Sequence, residues 1–450
     1  MKMNRLNFLK NSSIAILALT TKKVHSEDNS IFNTSAKKKE TITIIGGGLS
    51  GLYSAYILGK AGIKTTLIEG GERYGGRILS YREGSDFIGE LGGEWITTDQ
   101  KNMLGLVKEL DLKAVAHNVQ KEIVYSKENR PSELSQQTKQ ALKKIFGMYR
   151  GMSVKQKHGL DKIDIYNYLK YQDIANDDLN FIEMKYRMKY GESIRSVSAN
   201  GFFSDFSNLE FHPKTVFRID GGNDNIIEKL LSNLHDSEKI LNDPVTEVDQ
   251  RNGKVKVKTK SGKVIESDTC IVTVPPALVS KIKWTPDLPR EKKLASVLIK
   301  NSRAAKLLVL TKGREFGEGE IHFMNAPLQK VYFSEINSKE INLLNGLSIG
   351  DASELFYEGK QSYLKELVAI SMKRYSLEEI FEIEKVISKV WQSEPLINGA
   401  FTIFPSGSLD AKESLRSPFN RVFFAGEALA DENGSMNSCI VSAIGAVNML

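Results

Sequence analysis

Between a β-branched apolar run, Thr41-Ile42-Thr43-Ile44-Ile45, and a helical pattern over about 50–62 stands Gly46-x-Gly48-x-x-Gly51. Few short patterns restrict a fold as much. Gly46 allows a tight turn off the strand, Gly48 lets a pyrophosphate approach the backbone, and Gly51 lets helix and sheet pack closely. The first residues of that helix, Leu49 and Ser50 with Gly51, offer unpaired N–H groups to phosphate. A second strand, Lys64–Ile68, ends at Glu69, whose carboxylate is placed to accept both hydroxyl hydrogens of an adenosine ribose. Strand, turn, helix and strand make a βαβ unit of about 30 residues. The expectation is an α/β fold with a Rossmann-type dinucleotide-binding domain. A carboxylate at position 69 favours an unphosphorylated ribose, hence FAD or NAD rather than NADP.

The 450 residues exceed one simple core and fit two domains. Residues 216–230 read as strand, Gly-Gly turn and helix. Residues 254–260 and 263–267 read as a hairpin, and 269–274 as a strand stopped by Pro275-Pro276. Alternating apolar residues return at 305–310, and 421–425 is a short strand before a glycine-containing loop and a helix from about Met436. Residues 101–110, much of 132–190, and 354–375 read as helical.

Composition removes several classes of function. The net charge of +7 is carried by lysines scattered along the chain, without the basic, aromatic-interleaved stripe of a nucleic-acid surface. Cys270 and Cys439 both lie in apolar runs, form no metal spacing, and are expected to be buried. The histidines are too dispersed for a metal centre, so no metal is expected, and no paired acid/base constellation stands out. Residues 1–39 read as a signal-like segment and linker. The order is a basic start, then the apolar run 14–19, which is too short for a stable transmembrane anchor. Arg5 to Lys10 resembles a twin-arginine export signal whose second arginine is Leu6. An exported protein and a cytoplasmic one with a frayed basic N-terminus both fit.

Beyond Glu69 come Arg73-Tyr74-Gly75-Gly76-Arg77 and Glu90-Leu91-Gly92-Gly93-Glu94-Trp95-Ile96. The glycines permit close backbone approach to a cofactor, and Arg77 can offset phosphate charge. In these segments the chain resembles the flavin-containing amine oxidase family, which includes monoamine, polyamine and L-amino-acid oxidases. The resemblance runs from about Lys39 to the C-terminus. It is carried further by Asp220-Gly221-Gly222, Asp243-Pro244-Val245, Val274-Pro275-Pro276 with Trp284-Thr285-Pro286, Trp391 with Gly399-Ala400-Phe401, and Phe424-Ala425-Gly426-Glu427.

The resemblance implies a two-domain layout. An FAD-binding domain is expected from 40–97, 214–280 and 415–450, and a mixed α+β substrate domain from 98–213 and 281–414. Gly76, Arg77, Gly92, Gly93, Glu94 and Trp95 would meet the cofactor, the Val245 backbone would meet adenine, and Gly426 and Glu427 would meet ribityl and phosphate. Gly434-Ser435-Met436 begins the last helix, whose N–H groups could stabilise negative charge on reduced flavin. Lys306 matches the family lysine that holds a water near the flavin and assists reaction with oxygen; an edge lysine reaching solvent is the plainer alternative. Phe401 matches one of two aromatics that flank the substrate, while the second position falls on Ser435. Ala400 stands where some monoamine oxidases carry a flavin-linked cysteine, which implies non-covalent FAD.

The implied chemistry is oxidation of a C–N bond to an imine that water hydrolyses, with oxygen giving hydrogen peroxide. Many L-amino-acid oxidases of the family place an arginine for the substrate carboxylate where Trp95 stands here, which tilts the reading toward amines. Arg195, Arg218 or Arg303 could supply that charge instead, so an L-amino-acid oxidase or dehydrogenase stays open. Glu94 could attract a cationic or diamine substrate. A desaturase or porphyrinogen-type oxidase fits less well. Oligomeric state stays open.

Overall fold

Thr41–Ile45 is the central strand of a five-stranded parallel sheet, ordered Val422–Phe424, Thr269–Val272, Thr41–Ile45, Lys64–Ile68, Glu238–Ile240. A central parallel strand is covered on both faces, and all but the first residue of Thr41–Ile45 are buried. This is a computed structural model, and it describes residues 40–117, 122–124, 133–205, 215–313, 320–322, 326–334, 342–357, 359–373 and 381–450. The signal-like segment and linker read over 1–39 lie outside the described residues.

The helix after the glycine turn is Leu49–Lys60, and its N-terminal residue Gly48 provides no side-chain cap. Its first N–H groups therefore face outward for a ligand. Ser50 Oγ donates to the Cys439 carbonyl at 3.0 Å, tying this helix to the last one, Met436–Asn448. Cys439 is half-buried there, whereas Cys270 is fully buried as expected. Behind the parallel sheet, the strands Val245–Asp249, Val255–Thr259, Val264–Ser267 and Lys283–Thr285 form a second sheet. Val248, Val255 and Val257 from it share a core with Ile45, Ile68, Val272 and Phe424.

A six-stranded sheet forms another layer, ordered Phe381–Val390, Ala304–Gly313, Asn342–Ile349, Lys330–Ser334, Glu320–His322, Glu122–Val124. Side chains alternate between faces along a strand. Ala305, Leu307 and Val309 therefore pack on Leu364, Val368 and Met372 of the helix Gln361–Lys373. Leu308 and Leu310 point the other way, against Leu91 and its neighbours Tyr81 and Ile88, which belong to or follow the hairpin Ser80–Glu83 and Asp86–Glu90. Lys306 shares the Leu308 face by the same period.

A helical cluster is built from Gln136–Arg150, Ile165–Tyr171, Asn176–Tyr190 and Ala199–Asp205. Phe202, fully buried, anchors it with edge contacts to Phe203 and Tyr186, each such ring pair contributing about 0.5–1.5 kcal/mol beyond burial. Finally, Ile96–Thr97, Val216–Ile219 and Ala114–His117 form a three-stranded sheet. Its pairing sets Phe217 opposite both Ile96 and Ala116, and Val115 opposite Arg218.

The stretch read as one helix over 354–375 divides into a 3-10 segment Gly350–Phe356 and the helix Gln361–Lys373. Gly359 lies between them and weakens helical continuity; residues 374 and 375 lie outside the described residues. The strands Phe381–Val390, Lys330–Ser334, Asn342–Ile349 and the 80–90 hairpin carry mixed charge or broken alternation, so their strand period was not apparent.

Candidate active site

One cavity of about 1470 Å³ runs past the glycine turn, the 73–77 loop, the 92–95 segment and the 304–306 strand start. Every residue singled out from sequence as a site residue lines it except Gly51. Gly51 supports it from behind, since a Cβ there would stand 1.9 Å from the Gly46 carbonyl oxygen. A Cβ on Gly48, by contrast, would meet no protein atom within 4 Å. The backbone at Gly48 thus borders free space, as a phosphate cradle requires.

Glu69 accepts from the backbone N–H groups of Gly47 and Gly71, both at 2.7 Å. Those bonds fix its carboxylate at the cavity wall with lone pairs left for a ribose. Farther along, Arg77 Nη1 lies 3.0 Å from Glu427 Oε2 and donates to the Ala400 carbonyl at 2.7 Å. Glu427 is buried and also accepts from Thr402 Oγ1 at 2.5 Å and the Gly434 N–H at 2.6 Å. Ser435 caps the last helix by accepting from the Ser438 N–H. A cradle bounded by free space, an uncapped helix start and a cavity-facing arginine fit a dinucleotide such as FAD. The residues that would hold it are Gly48, Leu49, Ser50, Glu69, Gly76, Arg77, Gly426 and Glu427, with Val245 also at the wall.

At the 92–95 segment the structure assembles a constellation that the spacing of the sequence does not show. Glu94 is buried and accepts from Lys306 Nζ and from the Tyr332 hydroxyl. Arg218 Nη1 reaches its other oxygen at 3.2 Å. Burial alone would raise the Glu94 carboxyl, but the Lys306 and Arg218 charges, with the bonds from Lys306 and Tyr332, hold it below the usual carboxylate range. Burial and the Glu94 charge push the Tyr332 hydroxyl well above its ordinary value, so it stays protonated and donates.

Lys306 is therefore not an edge lysine. Its strand is paired on both sides, and its ammonium meets Glu94 rather than solvent. Trp95 lines the cavity with its ring 5.6 Å from Tyr332 and 5.5 Å from His117, under Arg218 at 5.3 Å. Of the three arginines considered for a substrate carboxylate, Arg195 lies over the Tyr166 ring at 3.3 Å and Arg303 pairs with Glu192 at 3.0 Å. Neither lines the cavity; Arg218 adjoins it but is engaged by Glu94.

A second network holds the 92–95 backbone. Buried Asn223 donates from its side-chain amide to the carbonyls of Gly93 and Glu94 at 3.0 and 2.7 Å, and from its N–H to Glu90 at 2.7 Å. Ser80 Oγ donates to the other Glu90 oxygen at 2.8 Å. Burial outweighs these bonds and pushes the Glu90 carboxyl up to about 8. The Glu90 and Asn223 roles were missed, although Glu90 opens one noted motif and Asn223 directly follows another, which was the available signal. Phe401 also lines the cavity, packed near Met188, Ala304 and Leu347. Trp391 is buried and donates from its indole to the Leu91 carbonyl at 2.9 Å.

The fold and this cavity define a flavin-dependent oxidoreductase. The chain belongs to the flavin containing amine oxidoreductase family, whose model matches residues 49–450. An L-amino-acid oxidase of Sistrurus catenatus edwardsii is 26% identical over 92% of this chain and 87% of that protein. A nicotine dehydrogenase of Pseudomonas putida is 23% identical over 86% of this chain and 82% of its own length. Among solved structures, putrescine oxidase bound to putrescine superposes with a TM-score of 0.78 at 20% identity, covering 91% of this chain and 98% of that one. Cyclohexylamine oxidase from Brevibacterium oxydans gives 0.78 at 16% identity over the same shares. These neighbours share the two-domain flavoprotein fold. The chain is thus a flavin-containing amine oxidase by family.

Proposed function

We propose that this chain binds FAD non-covalently and oxidises the C–N bond of an amine to an imine, with oxygen reduced to hydrogen peroxide. The observation that carries this reading is the cavity itself, which joins a dinucleotide cradle to Lys306, Trp391 and Phe401. When bound, the flavin supplies the two-electron acceptor that no side chain provides. Glu94 and Tyr332 hold the Lys306 ammonium at the cavity wall, where its charge favours electron transfer to oxygen. Phe401 supplies an apolar surface that disfavours the substrate's ammonium form, leaving the reactive neutral amine. With Ser435 opposite, that surface covers one side of the substrate only.

Two features support non-covalent attachment. Ala400 offers no nucleophile, and burial pushes the cavity-lining Cys439 thiol up to about 11, away from thiolate. The division into an FAD domain (40–97, 214–280, 415–450) and a substrate domain (98–213, 281–414) is supported by the parallel sheet, whose strands all come from the first set. A second reading, an L-amino-acid oxidase, is favoured by the relative from Sistrurus catenatus edwardsii. Anaerobic mixing with amine and amino-acid panels, followed on the flavin absorbance, tests the reaction class. Admission of air with a peroxide assay tests the acceptor. Acid precipitation should release free FAD; flavin retained in the pellet overturns the non-covalent assignment.

A further inference from the structure

The charged wall beside Tyr332 has a residue that none of the preceding roles uses. Lys330 lies two positions before Tyr332 on the same strand and lines the cavity. Its ammonium stands 5.7 Å from the Tyr332 ring centroid, and the Lys306 ammonium stands 5.0 Å from that same ring. The two lysines thus flank one tyrosine.

Their donors are committed differently. Lys306 bonds both Glu94 and the Tyr332 hydroxyl. Among the described residues Lys330 pairs with Glu320 only, at 2.8 Å, and Glu320 also accepts from His322 at 3.3 Å. An ammonium carries three donors, so Lys330 keeps donors for a ligand. The wall also carries an excess of positive charge. Among the described side chains, Arg218, Lys306 and Lys330 face Glu94 and Glu320, so three cations meet two carboxylates. All five side chains are at most 18% exposed, so water screens that excess poorly. A second ammonium on a diamine would meet this excess, with both of the wall's described carboxylates already paired. An anionic group would neutralise it.

We propose that Lys330 is the specificity-determining residue of the site and reads an acidic group on the substrate, making the preferred substrates amines that carry a carboxylate near the reacting nitrogen. The inference rests on the amine-oxidising reading above, and it replaces the arginine that Trp95 excludes with a lysine on a different strand.

The test compares an α-amino acid with its amide and its decarboxylated amine on the holoenzyme, as kcat/KM and as anaerobic flavin reduction. Wild type should favour the acid over its amide by about 100-fold, the scale of one hydrogen bond between charged groups. In Lys330→Met that ratio should fall at least tenfold, and Lys330→Arg should restore most of it. Perturbation of the wild-type flavin spectrum by 3-phenylpropionate and by 3-phenylpropanamide reads the same preference without turnover or mutation. The acid should bind at least tenfold more tightly. Reduction by the amine or amide in preference to the acid, or an unchanged ratio in Lys330→Met, overturns the role of Lys330 while leaving amine oxidation intact. Flavin reduced by none of the three compounds overturns amine oxidation itself.

Discussion

The nucleotide cradle and the charged cluster at Glu94 line the same cavity but are made in opposite ways. The cradle is largely backbone: a turn at Gly46–Gly48, a helix start, and a carboxylate at Glu69 fixed by two N–H groups. Its first parts lie within one βαβ unit. The cluster consists of side chains, with Glu94 from the loop before Ile96–Thr97 and Arg218, Lys306 and Tyr332 from three separate strands. A backbone cradle tolerates most changes around it, provided that the glycines keep their space. A buried charge cluster has no such tolerance, because removing one member strands the others.

The sharpest way to break that contrast is at Glu94. Glu94→Gln keeps the shape but leaves Lys306 and Arg218 without their carboxylate. The expected cost is about 3–5 kcal/mol of stability, measured by urea unfolding of the holoenzyme; a loss below 1 kcal/mol would show the cluster to be as forgiving as the cradle. Lys306→Met comes next. It should slow flavin reoxidation by about 10²-fold, as loss of one electrostatic stabiliser does, while anaerobic reduction changes far less. Stopped-flow measurement of the two half-reactions separates these effects, and equal slowing of both would remove the oxygen role.

The cradle has its own paired test. Gly51→Ala drives a methyl against the Gly46 carbonyl and should destabilise the apoprotein by about 1–3 kcal/mol. Gly48→Ala meets no protein atom, so its apoprotein should melt like wild type while retaining flavin more weakly. Thermal melts with and without added FAD read both. The last test concerns Glu90, and its effect is one of pH dependence. Its carboxyl holds a proton up to about pH 8 in the folded chain, whereas the unfolded chain releases it near 4.3. Folding therefore takes up a proton between those values, and the contribution is full at low pH and lost as pH rises toward 8. Glu90→Gln should flatten that part of the Tm–pH curve; an unchanged slope would assign the pH dependence elsewhere.

How much could be read from sequence follows the same division. Strand Lys64–Ile68 was placed to the residue and helix Leu49–Lys60 to within about two residues, because glycine spacing, β-branching and helical period are local signals. Lys306 was found through its match to the family lysine, in an apolar strand where a cation stands out. Its partners were not, since Glu94, Tyr332 and Arg218 meet only through strand pairing and sheet packing over long separations. Strand Phe381–Val390 was missed for a related reason. Lys385 and Lys389 in it are held by Glu83 and Glu394, so charges that break the apolar period of a strand are paired on a sheet.

The parallel sheet has a consequence for synthesis. Its strand Val422–Phe424 and the helix Met436–Asn448 supply one edge and one wall of the cofactor cavity. Until the ribosome has released those residues, a nascent chain has a glycine turn but no closed chamber around it. Cofactor loading thus awaits residues 422–448, and chains truncated before residue 422 should leave the ribosome colourless.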